Sequence, residues 1–199
     1  MTLSLEKGAN LSLTKAAPSM KKAVIGLGWL VRTSDGEDFD LDASVFLLGA
    51  NGKVRSDRDF IYYNQEKSAC GSVVHMGDNT TGVEGNGPID GQVVDAESIV
   101  VDLNNVPLDI EKIVVAVTIH EALKRRQNFG QVNSAYIRIV DESNNNVVAQ
   151  YDLSEDAGTE TSMIFGEVYR HKGEWKIRAV EQGMRGGLLE IARNYGVKL

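Results

Sequence analysis

The chain has 199 residues, 42% hydrophobic and 25% charged, a composition sufficient for a packed core within one domain over residues 1–199. Lys and Arg total 21 against 28 Asp and Glu, leaving a formal net charge of −7. With no Lys/Arg stripe interleaved with aromatics to offset that excess, direct nucleic-acid binding is not expected.

Met1 to Lys15 alternates polar and apolar residues and has no signal-peptide core. Leu3-Ser4-Leu5 and Leu11-Ser12-Leu13 around Gly8-Ala9-Asn10 suggest a short N-terminal hairpin. The apolar run Ala23–Val31 follows Lys21-Lys22, but it is internal and far below the ~20 residues of a membrane span. It reads as a buried strand. No transmembrane segment is expected, and Cys70, as a lone cysteine, suits a reducing compartment such as the cytoplasm.

Further strands are predicted at Ser44–Leu48, Phe60–Tyr63, Ser72–His75 and Ser98–Leu103. Lys112–His120 carries Ile113-Val114-Val115-Ala116-Val117, which looks buried on both faces. Ala135–Asp141 and Val147–Leu153 flank the turn Ser143-Asn144-Asn145-Asn146, and Ser162–Arg170 and Trp175–Val180 flank Lys172-Gly173-Glu174. Helical patterns are confined to Glu121–Phe129 and Leu188–Tyr195, too little for the crossovers of a parallel sheet. The fold class is therefore all-β, a β-sandwich of two mostly antiparallel sheets with a few short helices.

Chemistry concentrates where acids do. Asp35-Gly36-Glu37-Asp38-Phe39-Asp40-Leu41-Asp42-Ala43-Ser44 packs five carboxylates into eight positions at the start of a predicted strand. In an extended chain Asp38, Asp40 and Asp42 share one face, about 7 Å apart in succession, while Phe39 and Leu41 point into the core. Two carboxylates near 4 Å repel by roughly 4 kcal/mol at an effective dielectric of 20, so such a cluster calls for a cation or for water. Gly77-Asp78-Asn79-Thr80-Thr81-Gly82 adds carboxylate, amide and hydroxyl oxygens in glycine-bounded turns. Asp95 and Glu97 follow the glycine-rich stretch Gly82–Gly91, and Asp156 and Glu160 lie in another acidic loop. Hard oxygen donors of this kind suit calcium. Each segment alone also reads as a solvated acidic loop or a capped turn.

Other chemistries lack their parts. Counted from Asp38, the sixth and twelfth positions are Ala43 and Gly49, so the EF-hand glycine and glutamate are missing. His75, His120 and His171 are scattered, and His120-Glu121 has no second zinc-protease histidine. There is no Gly-x-Ser-x-Gly elbow and no Walker lysine, which points away from an enzyme. Lys124-Arg125-Arg126 reads as the solvated face of a short helix, and Trp29 and Trp175 as core.

Taken in order, Gly26-Leu27-Gly28-Trp29, Asp38 to Ser44, Gly77 to Gly82, Asp156-Ala157-Gly158-Thr159-Glu160-Thr161, Phe165 to His171 and Gly173-Glu174-Trp175-Lys176 resemble the TerD family from Leu3 to about Val197. The sequence departs from that pattern at Leu30, where an Asp often follows Gly-Trp, at Cys70, where an Asp-Gly turn is usual, and in a longer, less acidic Glu84–Ala96. The resemblance implies a calcium-binding β-sandwich of bacterial tellurium-resistance and general-stress proteins. By that resemblance one or two calcium ions would be held first by Asp40 and Asp42, then by Asp78 and Asn79, with Asp95, Glu97 and Glu160 as further ligands; Asp38 and Asp156 join the candidate ligands from the acidic segments themselves. The implied role is a metal-regulated binding or scaffold module, with other Ter-type proteins or a membrane-associated complex as partners. Two alternatives stand beside it, a metal-dependent enzyme acting on a phosphorylated substrate and a sensor of a small molecule or oxyanion.

Overall fold

Period-2 alternation is converted into two stacked six-stranded sheets in the computed structural model, which describes residues 2–30, 36–82, 95–132, 134–152, 158–184 and 186–198. In chain order the strands are β1 (Leu3–Ser4), β2 (Asn10–Ser12), β3 (Lys22–Gly28), β4 (Leu41–Leu48), β5 (Phe60–Ile61), β6 (Val73–His75), β7 (Glu97–Asp102), β8 (Lys112–Ile119), β9 (Tyr136–Asp141), β10 (Asn146–Asp152), β11 (Ser162–His171) and β12 (Glu174–Met184). Three short helices join them, α1 (Leu13–Ala16), α2 (Ala122–Arg125) and α3 (Gly187–Asn194). One sheet runs β1-β10-β9-β3-β7-β6 and the other β2-β12-β11-β8-β4-β5. Among the described residues, β1 with β10 is the one parallel pairing.

Alternate residues of each sheet meet in the core. Ala23, Ile25 and Leu27 of β3, with Ile99 and Val101 of β7, pack in one cluster with Leu41, Ala43, Val45 and Leu47 of β4 and with Val115 and Val117 of β8. The opposite face of the second sheet is also apolar. Phe46, Leu48, Val114, Ala116 and Ile164 are covered by Ile191 and Ala192 of α3. That is why Ile113 to Val117 is buried on both faces, as its continuous apolar run predicts. Fully burying one large apolar side chain contributes about 1.5–3 kcal/mol, and each residue from Ile113 to Val117 packs in one of the two cores.

Most strands lie where the alternation puts them, and the departures are tertiary. Leu3–Ser4 and Asn10–Ser12 form no hairpin: β1 pairs with β10 in one sheet and β2 with β12 in the other. Two- and three-residue strands gain more from docking on the edges of existing sheets than from each other. Leu13 opens α1, capped by the Ser12 hydroxyl accepting from Lys15 N. The expected helix Glu121–Phe129 is a single turn, α2, followed by a 3₁₀ turn at Phe129–Gln131. Lys172 (φ 51) and Gly173 (φ 78) close β11–β12 with both central residues left-handed, the turn type that matches strand twist.

A candidate metal centre

Strand β4 begins in the acidic segment, and its alternation sorts the side chains. Leu41 and Ala43 enter the inter-sheet core, as does Phe39 before them. Asp40 and Asp42 lie on the other side and are nonetheless buried, at 5% and 6% exposure. The third acid comes from the opposite sheet: beyond β6 the chain bends through Gly77 (φ 122) and delivers Asp78. One carboxylate oxygen from each of Asp40, Asp42 and Asp78 lies within 4.8 Å of the others, so the three could hold a metal ion. Asp40 Oδ1 is buried with no hydrogen-bond partner among the described residues.

The loop carrying Asp78 is held by its neighbours. Asn79 Oδ1 accepts from Thr81 N at 3.0 Å and Gly82 N at 2.9 Å, an Asx-type turn. Gly82 (φ 90) rests on Trp29, where a Cβ would fall 2.6 Å from the indole nitrogen. The same indole N–H donates to Phe39 O at 3.0 Å, so Trp29 ties the Asp78 loop to the start of the acidic strand. At the loop's other end, His75 Nδ1 accepts from Gly77 N at 3.2 Å, and burial holds this imidazole below its usual pKa, neutral.

Glu97 sits beneath the cluster. Its position in β7 turns it inward, and it is 2% exposed. Oε2 accepts from Ala43 N at 2.7 Å and Oε1 from Asn79 N at 3.3 Å, joining β4 to the Asp78 loop. Burial pushes its carboxyl up to about 9, and a side-chain hydrogen bond with Asp78 and the charge of Asp42 push the same way, against the two backbone donors. Asp42 is pushed up to about 7, first by burial and then by the charges of Asp40 and Asp78. Asp40 is also raised by burial, opposed by His120 and Arg125. His120 Nδ1 lies 3.7 Å from Asp42 Oδ2, and Arg125 Nη1 lies 3.5 Å from Asp40 Oδ2.

Of the remaining predicted ligands, Asp38 is exposed and meets Gln127 through its backbone oxygen at 3.2 Å. Asn79 uses its side-chain oxygen inside its own turn. Asp95 is taken by Arg138, whose Nε and Nη2 donate at 2.7 and 3.0 Å, and it fills the space above Gly26. Glu160 packs over Gly183 rather than joining the three-acid group. Asp156 lies outside the described residues. Sequence reading also missed two groups. His120 looked isolated and Arg125 looked solvated, yet both face the acids; the acidic strand itself was the signal that cations would be drawn to it.

A TerD domain family model matches residues 1–195. The chain is 57% identical to tellurium resistance protein TerD of Serratia marcescens, over 99% of this chain and 98% of that one. It is 51% identical to general stress protein 16U of Bacillus subtilis (strain 168), over 100% of both chains. Among solved structures, a protein of unknown function superposes with a TM-score of 0.70 at 20% identity, covering 90% of this chain and 99% of that chain. A homologue of telluride resistance protein from Streptomyces coelicolor A3(2) gives 0.66 at 17% identity, over 87% and 96%. Those two likenesses concern the fold alone. The domain match and the two closely similar relatives identify the family, and this chain belongs to it: the TerD family of tellurium-resistance and general-stress proteins.

Proposed function

We propose that the chain is a calcium-binding stress-resistance protein, a metal-regulated binding module linked to tellurite resistance rather than an enzyme. The observation that carries this reading is the meeting of Asp40 and Asp42 with Asp78 from the facing sheet, with the buried Asp40 Oδ1 lacking a partner among the described residues. A divalent cation at that point turns carboxylate repulsion into attraction and supplies the missing partner. All-oxygen donors favour a hard cation. Three carboxylates offer up to six oxygens, against the ~6–8 that calcium takes, with water completing the shell.

In this reading Asp40, Asp42 and Asp78 hold one ion and Glu97 supports them from below. The ion joins the two sheets at one end and fixes the surface that partners meet. Those partners are other Ter-type proteins or a membrane-associated complex, and the compartment is the cytoplasm. No helix among the described residues is long and apolar enough to cross a membrane.

Calorimetric titration with calcium and with magnesium, on the wild type and on Asp42→Asn, tests the reading. Expected is one calcium ion per chain at this cluster, bound at least tenfold more weakly by the variant. A ligand of the folded form alone stabilises by about 2.7 kcal/mol at a hundredfold excess over Kd, so the melt should rise in parallel. Absence of both calcium heat and a melt shift at millimolar calcium would overturn it.

A further inference from the structure

Asp42, one of the three clustered acids, also lines an open groove of about 410 Å³, the size of a small-ligand site. Its lining mixes two chemistries. Asp42, Tyr63 and His120 supply polar groups, with His120 Nδ1 3.7 Å from Asp42. Leu123 on α2 and Leu188 and Leu189 on α3 supply apolar ones, with Glu121 and Lys124 paired to each other at 2.8 Å beside Leu123. Leu123 is 83% exposed and Leu189 56% exposed, so the fold leaves two large apolar side chains in water on the groove's walls. Leu123 lies on α2, a single turn bracketed by left-handed, non-glycine residues Glu121 (φ 47) and Arg126 (φ 53).

Charge decides what this groove accepts. Without a cation, three clustered carboxylates repel an anionic head. A divalent ion on Asp40, Asp42 and Asp78 leaves that group one formal negative charge, which Arg125, 3.5 Å from Asp40, offsets while also reaching Glu37 at 3.4 Å; Glu121 and Lys124 on the groove wall neutralise each other at 2.8 Å. His120, 3.7 Å from Asp42 and 39% exposed, then adds a donor among the groove's polar groups. An ion that takes more oxygens than three side chains comfortably give still accepts another oxygen ligand. We infer that the groove binds a small amphiphile, an anionic oxygen head group (carboxylate or phosphate) on the cation and an apolar body between Leu123 and Leu189. The inference rests on the metal reading and adds the ligand class to it.

The test titrates calcium alone first, then octanoate and octyl phosphate, both kept below micelle-forming concentrations, into the calcium-loaded full chain and into the same protein in EDTA. Expected is binding of at least one of the two, at least tenfold tighter with calcium, with octanol and acetate at least tenfold weaker. Leu123→Gln and Leu189→Gln, both at exposed positions, should each weaken amphiphile binding about tenfold while leaving the calcium titration unchanged. The ranking of the two heads identifies carboxylate or phosphate as the source. Normal calcium binding with no calcium-dependent amphiphile binding, or with unaltered affinity in both glutamine variants, overturns the inference alone. So does binding only to phosphatidylglycerol vesicles. Loss of calcium binding itself removes the metal reading and this inference with it.

Discussion

Asp42 and Glu97 carry carboxyls whose protonated forms the metal-free fold prefers, and this fixes the sign of the pH dependence. Their folded values of about 7 and about 9 lie above the ordinary carboxylate range. The folded state therefore holds more protons than the unfolded chain between ~pH 4 and those values, and stability falls as pH rises through that window. Calorimetric melts in EDTA should drop steadily from pH 5 to pH 9. With calcium present the trend should reverse, because protons and the ion compete for the same oxygens; parallel curves with and without calcium would contradict this. Glu97 allows a sharper check. Glu97→Gln keeps an acceptor for Ala43 N and gives up only the longer, 3.3 Å one to Asn79 N, so a loss of about 1 kcal/mol is expected. Glu97→Ala leaves the buried Ala43 N–H unpaired as well as a cavity, and urea denaturation should read a loss of about 3 kcal/mol or more.

Among the elements, the Asp78 loop owes its place to Trp29 and Gly82. Gly82 has φ 90 and touches the indole, so Gly82→Ala combines left-handed strain with a clash. A loss of about 1–3 kcal/mol is expected in urea melts, with calcium affinity lowered because the loop no longer seats Asp78. A variant of unchanged stability and affinity would show that the loop adapts freely. The strand elements were legible in the sequence because each announces itself locally. Ile113–Val117, an unbroken apolar run, is a two-faced buried strand, and Asn144-Asn145 marks a hairpin tip, with Asn145 left-handed. The short terminal strands were not legible. Leu3–Ser4 and Asn10–Ser12 carry the alternation of a hairpin, but their partners are chosen by which sheet edges remain open.

Across the whole molecule, the acids gather where both sheets end together, β4 contributing from one sheet and the segment beyond β6 from the other. An ion at that point is a bridge between layers rather than a loop ornament. Hydrogen exchange should therefore slow on calcium binding at the amides of Ala43 in one sheet and Asn79 beside the other, both of which donate to Glu97. Protection limited to residues 77–82 would mean that the ion orders a loop and leaves the sandwich unchanged. The same placement explains why α2 and α3, far apart in sequence, flank one groove that Asp42 also lines.

What the residues determined alone was local or shared by descent. Periodicity selected strands, since side-chain direction alternates within any extended segment, and the Asp-Leu-Asp-Ala-Ser stretch fixed which acids face away from the core. The motifs in register identified the TerD family. Which acids converge was decided only by tertiary structure. Asp78 and Asp95 are both candidate ligands in the sequence, yet one meets Asp40 and Asp42 and the other is bound by Arg138. Nothing in the neighbourhood of either residue encodes that difference. It arises from sheet order and register, which set distances between strands remote in sequence, and carboxylate chemistry is governed by those distances and by burial.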